Sequence, residues 1–222
     1  MCGRYGIAKP NKIYDRFELI SDIIDLKPKF NAAPSDWMPV IFKDKDGKNR
    51  VEMMRWGFIP AWAKDPKIAN MTINARAETV HQKPSYQKPL KYQRCIIPVT
   101  HFFEWKQTSE GKVPYVIRLK DQEIFAFAGL FDTNDKAYGK EIKTFTIITT
   151  EPNELVAPIH NRMPVILKRS TENIWLDPTI TDSEKALSFL QPFPANLMEA
   201  YAVFSEVNDP ANDHPDIIKP VQ

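Results

Sequence analysis

Nineteen prolines against seven glycines limit how far any element of this chain can run. Proline fixes φ, lacks an N–H and pushes the preceding residue out of the helical region, so it punctuates helices and central strands. The pattern therefore predicts many short elements rather than a few long ones. "RCIIPV", "FFEW", "PYVIRL", "IFAFAGLF" and "TFTIITT" are short β-type runs. "PVIFKDKDGKNRVEMMRWG" reads as a hairpin turning at Asp46-Gly47, and "VPYVIRLKDQEIFAFAGLF" as a second one around Asp121-Gln122. Helical spacing shows in "KIYDRFELISDIIDL", in a short pattern within "EPNELVAPIH" that ends near His160, and in "SEKALSFLQ" with Ser183 as its cap. The tail "DPANDHPDIIKPVQ" reads as extended along the surface. Many short strands, few helices, no repeat and no linker predict the α+β class: one mainly antiparallel, β-rich domain over residues 1–222.

Composition narrows the function classes. Hydrophobic residues make up 43% and charged residues 26% of the chain, a globular profile. No apolar run reaches the ~18 residues of a membrane span, and "MCGRYGIAKPNK" lacks the basic-then-apolar order of a signal peptide. No membrane partner is expected, and the expected location is cytoplasmic or at the nucleoid. A net charge of +2 is too mild to announce a nucleic-acid binder, but 30 Lys+Arg can still form a local basic stripe. The two cysteines, Cys2 and Cys95, have no metal spacing, and neither do the 4 histidines. Cys95 sits in a buried-strand pattern and reads as a small core residue. No phosphate-binding glycine loop and no GxSxG elbow occurs, so no metal and no cofactor is expected.

Some stretches have the residue types that chemistry needs. Cys2 follows the initiator directly. Removal of Met1 before this small residue would leave an α-amine and a thiol on adjacent carbons, a pair no internal position has. "FFEWK" sets Glu104 among Phe102, Phe103 and Trp105. A carboxyl desolvated by such neighbours holds its proton near neutral pH, although the same alternation fits a Glu on a solvent face. "PIHNRMP" puts His160 and Arg162 on one short segment between two prolines, an imidazole beside a guanidinium that can hold an anion. "INARAET" places Asn74, Arg76 and Glu78 in an irregular segment. In "MRWGFIPAWAK", Trp56 reads as core, whereas Trp62 in its loop-like context can stack on a base. Arg4, Arg76 and Arg162 lie far apart in sequence and form a phosphate groove only if the fold gathers them.

Taken together, "MCGRY", "NAAP", "WGFIPAW", "NARAET", "RCIIPV", "FFEW", "AGL" and "IHNRMP" occur in an order that resembles the SRAP (SOS response-associated peptidase) family from Cys2 to about Pro164. These proteins crosslink to abasic sites in single-stranded DNA. The resemblance implies a barrel-like sheet core with flanking helices, a monomer, and single-stranded DNA carrying an abasic site as partner. It implies Cys2 as covalent nucleophile, Asn74 as a positioning group, and Glu104 with His160 as acid–base pair. Arg4, Arg76 and Arg162 would hold phosphates, and Pro34 and Trp62 would line the DNA path. A lyase side reaction through a Schiff base is implied as well. The alternatives are an N-terminal-nucleophile cysteine peptidase that removes its own Met1, and a single-strand binder with no covalent step. Three positions depart from the family pattern: His101 stands where glycine is usual, Ala63 where some members have a second Trp, and Phe131 where Trp is common. The thiol, with a reference pKa near ~8.5, is expected to ionise with modest help.

Overall fold

The structure, a computed structural model, describes residues 2–20 and 24–221. Thirteen strands form two sheets. The first sheet contains β1 (Arg4–Ile7), β2 (Lys29–Ala32), β7 (His101–Thr108), β8 (Gly111–Leu119) and β13 (Met198–Ala202), in the order β13-β8-β7-β1-β2. The second is built from β3 (Trp37–Lys43), β4 (Asn49–Trp56), β6 (Arg94–Val99), β9 (Phe125–Asn134) and β10 (Ile142–Thr150). It also takes in β5 (Asn74–Arg76), β11 (Met163–Pro164) and β12 (Ile166–Leu167). Its order β10-β4-β3-β6-β9 closes because β9 also pairs with β10, giving a five-stranded barrel. Pairing is antiparallel except for β4 and β5 on β10, both parallel. The expected mainly antiparallel α+β core is thus a barrel with a second sheet against it. No helix among the described residues is long and apolar enough to cross a membrane.

Closure needs a residue without a side chain. A Cβ on Gly129, in β9, would lie 2.3 Å from Ile97 Cδ1 and 2.8 Å from the Thr146 carbonyl, so only glycine lets β6, β9 and β10 approach. The interior is aromatic: Tyr5 of the first sheet meets Trp56 of the barrel with centroids 5.1 Å apart, and Phe127 packs edge-on to Tyr5. The two sheets therefore share one core.

The β3–β4 hairpin forms as predicted, with Gly47 at φ +74° in its turn. The predicted hairpin at Asp121-Gln122 does not form. β8 pairs with β7 and β13, and β9 with β6, β10 and β12, so the two strands lie in different sheets. The hairpin is instead β7–β8, turning between Thr108 and Gly111. The first predicted helix shrinks to α1 (Ile13–Arg16), because Phe17 leaves helical φ and Glu18 takes φ 51°; residues 21–23 of that stretch lie outside the described residues. The segment before His160 makes hydrogen-bonded turns around the Asn153 side chain rather than a helix. In α4 (Ser183–Leu187) the cap is Asp182, one residue before Ser183. Two further helices, α2 (Pro84–Tyr92) and α3 (Arg169–Leu176), lie outside the predicted elements. Pro84 starts α2 where its missing N–H costs nothing. The tail is not extended throughout: Pro215–Ile218 forms a 3-10 turn, and Ile217 is buried with Val207, just before the tail, against Phe103 and Val116.

Candidate active site

Strand β1 delivers the amino-terminal residues to β7. The antiparallel register Arg4↔Phe103 brings the Cys2-Gly3 end of β1 alongside Glu104. Cys2 is fully buried, with Sγ 3.9 Å from the Arg4 carbonyl. Burial, reinforced by the Glu104 charge, pushes the thiol far above its ordinary range. The expectation of a readily ionised thiol is therefore corrected: the resting group is a neutral S–H.

Glu104 settles the alternative left open by the alternation. Every residue from His101 to Glu104 is buried, because β7 is covered by the barrel on one side and by the tail on the other. Glu104 is 2% exposed, and desolvation raises its carboxyl to a pKa of about 7. The His160 Nε2 lies 3.9 Å from Glu104 Oε2. His160 Nδ1 lies 3.0 Å from the Arg162 backbone N–H and 3.2 Å from the Arg162 carbonyl, so Arg162 anchors the ring by either tautomer and leaves Nε2 toward the carboxyl. Burial also holds the imidazole below its usual pKa. Gly3, Arg4, Glu104, Lys112, His160 and Asn208 line a cleft of about 710 Å³.

The three expected phosphate ligands sit in different surroundings. Arg4, at the cleft, donates to Asn31 Oδ1 at 2.9 Å and to the carbonyls of Val207 and Asn208 at 3.0 and 3.1 Å. Arg76 is exposed on β5, opposite Thr149 of β10. Arg162 reaches the same Thr149, donating to its carbonyl at 2.7 Å, and forks onto Glu78 at 2.7 and 3.0 Å. That contact holds the Glu78 carboxyl below its ordinary range. Asn74 precedes Arg76 on the same strand and donates from Nδ2 to the Ile73 carbonyl; its Oδ1 is buried with no hydrogen-bond partner among the described residues.

Trp62 is 57% exposed on a loop that is nonetheless firmly held. Asp132 accepts the Ala61 N–H, Asn134 donates to the carbonyls of Pro60 and Ala63, and Thr144 accepts the Ile59 N–H. A large aromatic held out by polar anchors has little ordering cost left for any ring that packs on it. Pro34 is exposed in the turn before β3, which is tied to Trp56 through the Ser35 N–H.

The family model for SOS response associated peptidase (SRAP) matches residues 1–210. The chain belongs to the SRAP family. It is 45% identical to abasic site processing protein YoqW of Bacillus subtilis, over 99% of both chains. It is 33% identical to abasic site processing protein HMCES of Gallus gallus, covering 88% of this chain and 67% of that one. A crystal structure of a Bacteroides thetaiotaomicron protein superposes with a TM-score of 0.90 at 33% identity, covering both chains fully. This SRAP protein thus shares its fold and its family with proteins that process abasic sites.

Sequence reading passed over Asn31, Asn208 and the Asp132–Asn134 anchors. Asn31 lies in the quoted "NAAP", so its presence was visible but its contacts were not. Asp132 and Asn134 gave no signal: their roles exist only because β9 passes the Trp62 loop. His101, the departure from the family glycine, is buried, donates from Nε2 to the Phe30 carbonyl and packs against Gly6. Among the described residues no group of three or more His, Cys, Asp and Glu could hold a metal ion.

Proposed function

We propose that this protein binds single-stranded DNA at an abasic site and joins Cys2, freed of Met1, to the open-chain aldehyde as a thiazolidine. The Cys2 nitrogen adds to the aldehyde carbon C1′, and loss of the resulting hydroxyl as water leaves a Schiff base. The sulfur then bonds to C1′, the C=N π electrons move to nitrogen, and the thiol proton ends on that nitrogen. Aldehyde plus aminothiol thus becomes a five-membered ring plus water, closed within one residue at high effective molarity. An amine alone would stop at a hydrolysable imine, and a thiol alone at a labile hemithioacetal.

The observation that carries this reading is the buried Glu104 carboxyl beside Cys2. With a pKa of about 7 it is present in both forms at neutral pH. The acid form protonates the departing hydroxyl, and the carboxylate then takes the proton from a thiol too buried to ionise alone. His160 Nε2, 3.9 Å from that carboxyl, can exchange protons with it through a bridging water. The Schiff base also acidifies the C2′ proton, which supports a lyase side reaction. A single strand suits the cleft, since a duplex would add an unstacking cost.

The test is to incubate the Met1-free protein with an abasic single strand and then denature it. A covalent adduct is expected, and Cys2→Ser should yield none that survives without borohydride trapping. Peptide hydrolysis without DNA reactivity would replace this reading with the peptidase. Salt-reversible binding with no adduct would replace it with a plain binder.

A further inference from the structure

We infer that Asn31 is the positioning residue for Arg4, and that it works by buckling the C-terminal segment onto the cleft. Asn31 lies on β2 and is fully buried. Its Nδ2 lies within bonding distance of three carbonyls of that segment, Val207 at 3.1 Å, Asp209 at 3.0 Å and Asn212 at 2.9 Å. Its Oδ1 accepts Arg4 Nη1 at 2.9 Å, and Arg4 itself shares the Val207 carbonyl and takes that of Asn208. A second fastening lies beside it: Asp213 Oδ1 accepts the N–H groups of Phe30 and Asn31 at 2.6 and 3.0 Å. Asn208, held between these points, accepts the Trp105 indole N–H and forms part of the cleft wall.

The chemistry of the buckle is specific to an amide. Only an amide offers donors to the tail carbonyls and an acceptor to Arg4 from one planar group. Every hydrogen-bond partner of the Arg4 guanidinium in this cluster is neutral, and the carboxylates of Asp209 and Asp36 act on it only through space, so Arg4 is oriented without a bonded counter-charge. Its Nε–H and one Nη2 hydrogen have no acceptor among the described residues and remain for an anion in the cleft. Asn212 and Asp213 lie beyond residue 210, where the match to the family model ends. The tail is thus part of the site.

This inference rests on the reading of Arg4 as a phosphate ligand, and the experiment separates the two. The full-length protein is titrated with a single strand carrying a tetrahydrofuran abasic analogue, which cannot crosslink, at several salt concentrations. Arg4→Ala should weaken binding about tenfold and reduce the salt slope by about 0.7, the contribution of one single-strand phosphate contact. Asn31→Ala should reproduce both changes, and the double variant should be no worse than Arg4→Ala alone. Asp213→Ala, which loosens the tail without touching either side chain, should shift both in the same direction by less. Unchanged binding in Arg4→Ala overturns the phosphate reading and this inference with it. A normal Arg4→Ala loss with an unchanged slope in Asn31→Ala, or with additive losses in the double variant, overturns this inference alone. Because Asn31→Ala can unfold, Asn31→Asp is the companion. It keeps the Arg4 acceptor but sets a carboxylate against three carbonyls, and the inference requires it to lose tail protection in hydrogen exchange; unaltered protection overturns the buckle.

Discussion

Arg4 and Arg162 are the same residue type on two different walls of the molecule, and they are held in opposite ways. On the β1–β7 wall, Arg4 is oriented by an amide and two carbonyls, none of them charged. On the β5–β10 wall, Arg162 is forked onto the Glu78 carboxylate, so its charge is met within the protein. The lesson is that a basic residue's contribution to anion binding is set by the charge of what orients it. The first wall also contains Cys2 and Glu104.

The largest expected effect tests whether the chemistry lies on the first wall. Glu104→Gln should slow crosslinking roughly a hundredfold, the size of one lost general acid–base group, and flatten its pH profile near 7, as read by adduct formation on gels. Arg162→Ala should leave that profile in place; a shifted profile there would break the comparison. The same carboxyl gives a stability signature. Its pKa is raised from 4.5 to about 7 on folding, so between those values the folded chain holds a proton that the unfolded chain has released. Stability therefore falls as pH rises through that window. Glu104→Gln should remove the fall, a gain of roughly 3 kcal/mol at pH 8 in denaturant unfolding.

A smaller effect is expected at Trp62. Trp62→Ala should weaken binding of the tetrahydrofuran strand about tenfold, the value of one base stacked on an aromatic ring, with the salt slope unchanged. A changed slope would mean that the loop acts through charge after all. The smallest effect sharpens the contrast between the arginines. Glu78→Gln should release Arg162 and tighten DNA binding about threefold at low salt, within the range of one exposed ion pair. Weaker binding instead would show that Glu78 serves by ordering Arg162.

Much of this was legible before folding. The prolines marked short elements, and all five β-type runs became strands, because short runs rich in β-branched and aromatic residues favour extended backbone locally. Trp56 reads as core and Trp62 as exposed from their flanks alone, and both are so. Strand partnership was not legible. The runs "PYVIRL" and "IFAFAGLF" are separated by a plausible turn, yet the edges of each are taken by other strands, and local pattern does not encode that competition. Helix length failed at Phe17 for a similar reason: apolar spacing continued after the backbone had turned away at Glu18.

The sequence by itself determined the residue types at the site: a cysteine at position 2, a carboxyl among aromatics, an imidazole between prolines and dispersed arginines. The tertiary structure decided their states. Burial of β7 between barrel and tail raised Glu104 and silenced the Cys2 thiol, since desolvation depends on what covers a group from every side. It also decided what each arginine bonds to, because the carbonyl partners of Arg4 lie about two hundred residues away along the chain. Identity is written locally, whereas dielectric and hydrogen-bond partners are properties of the packed whole.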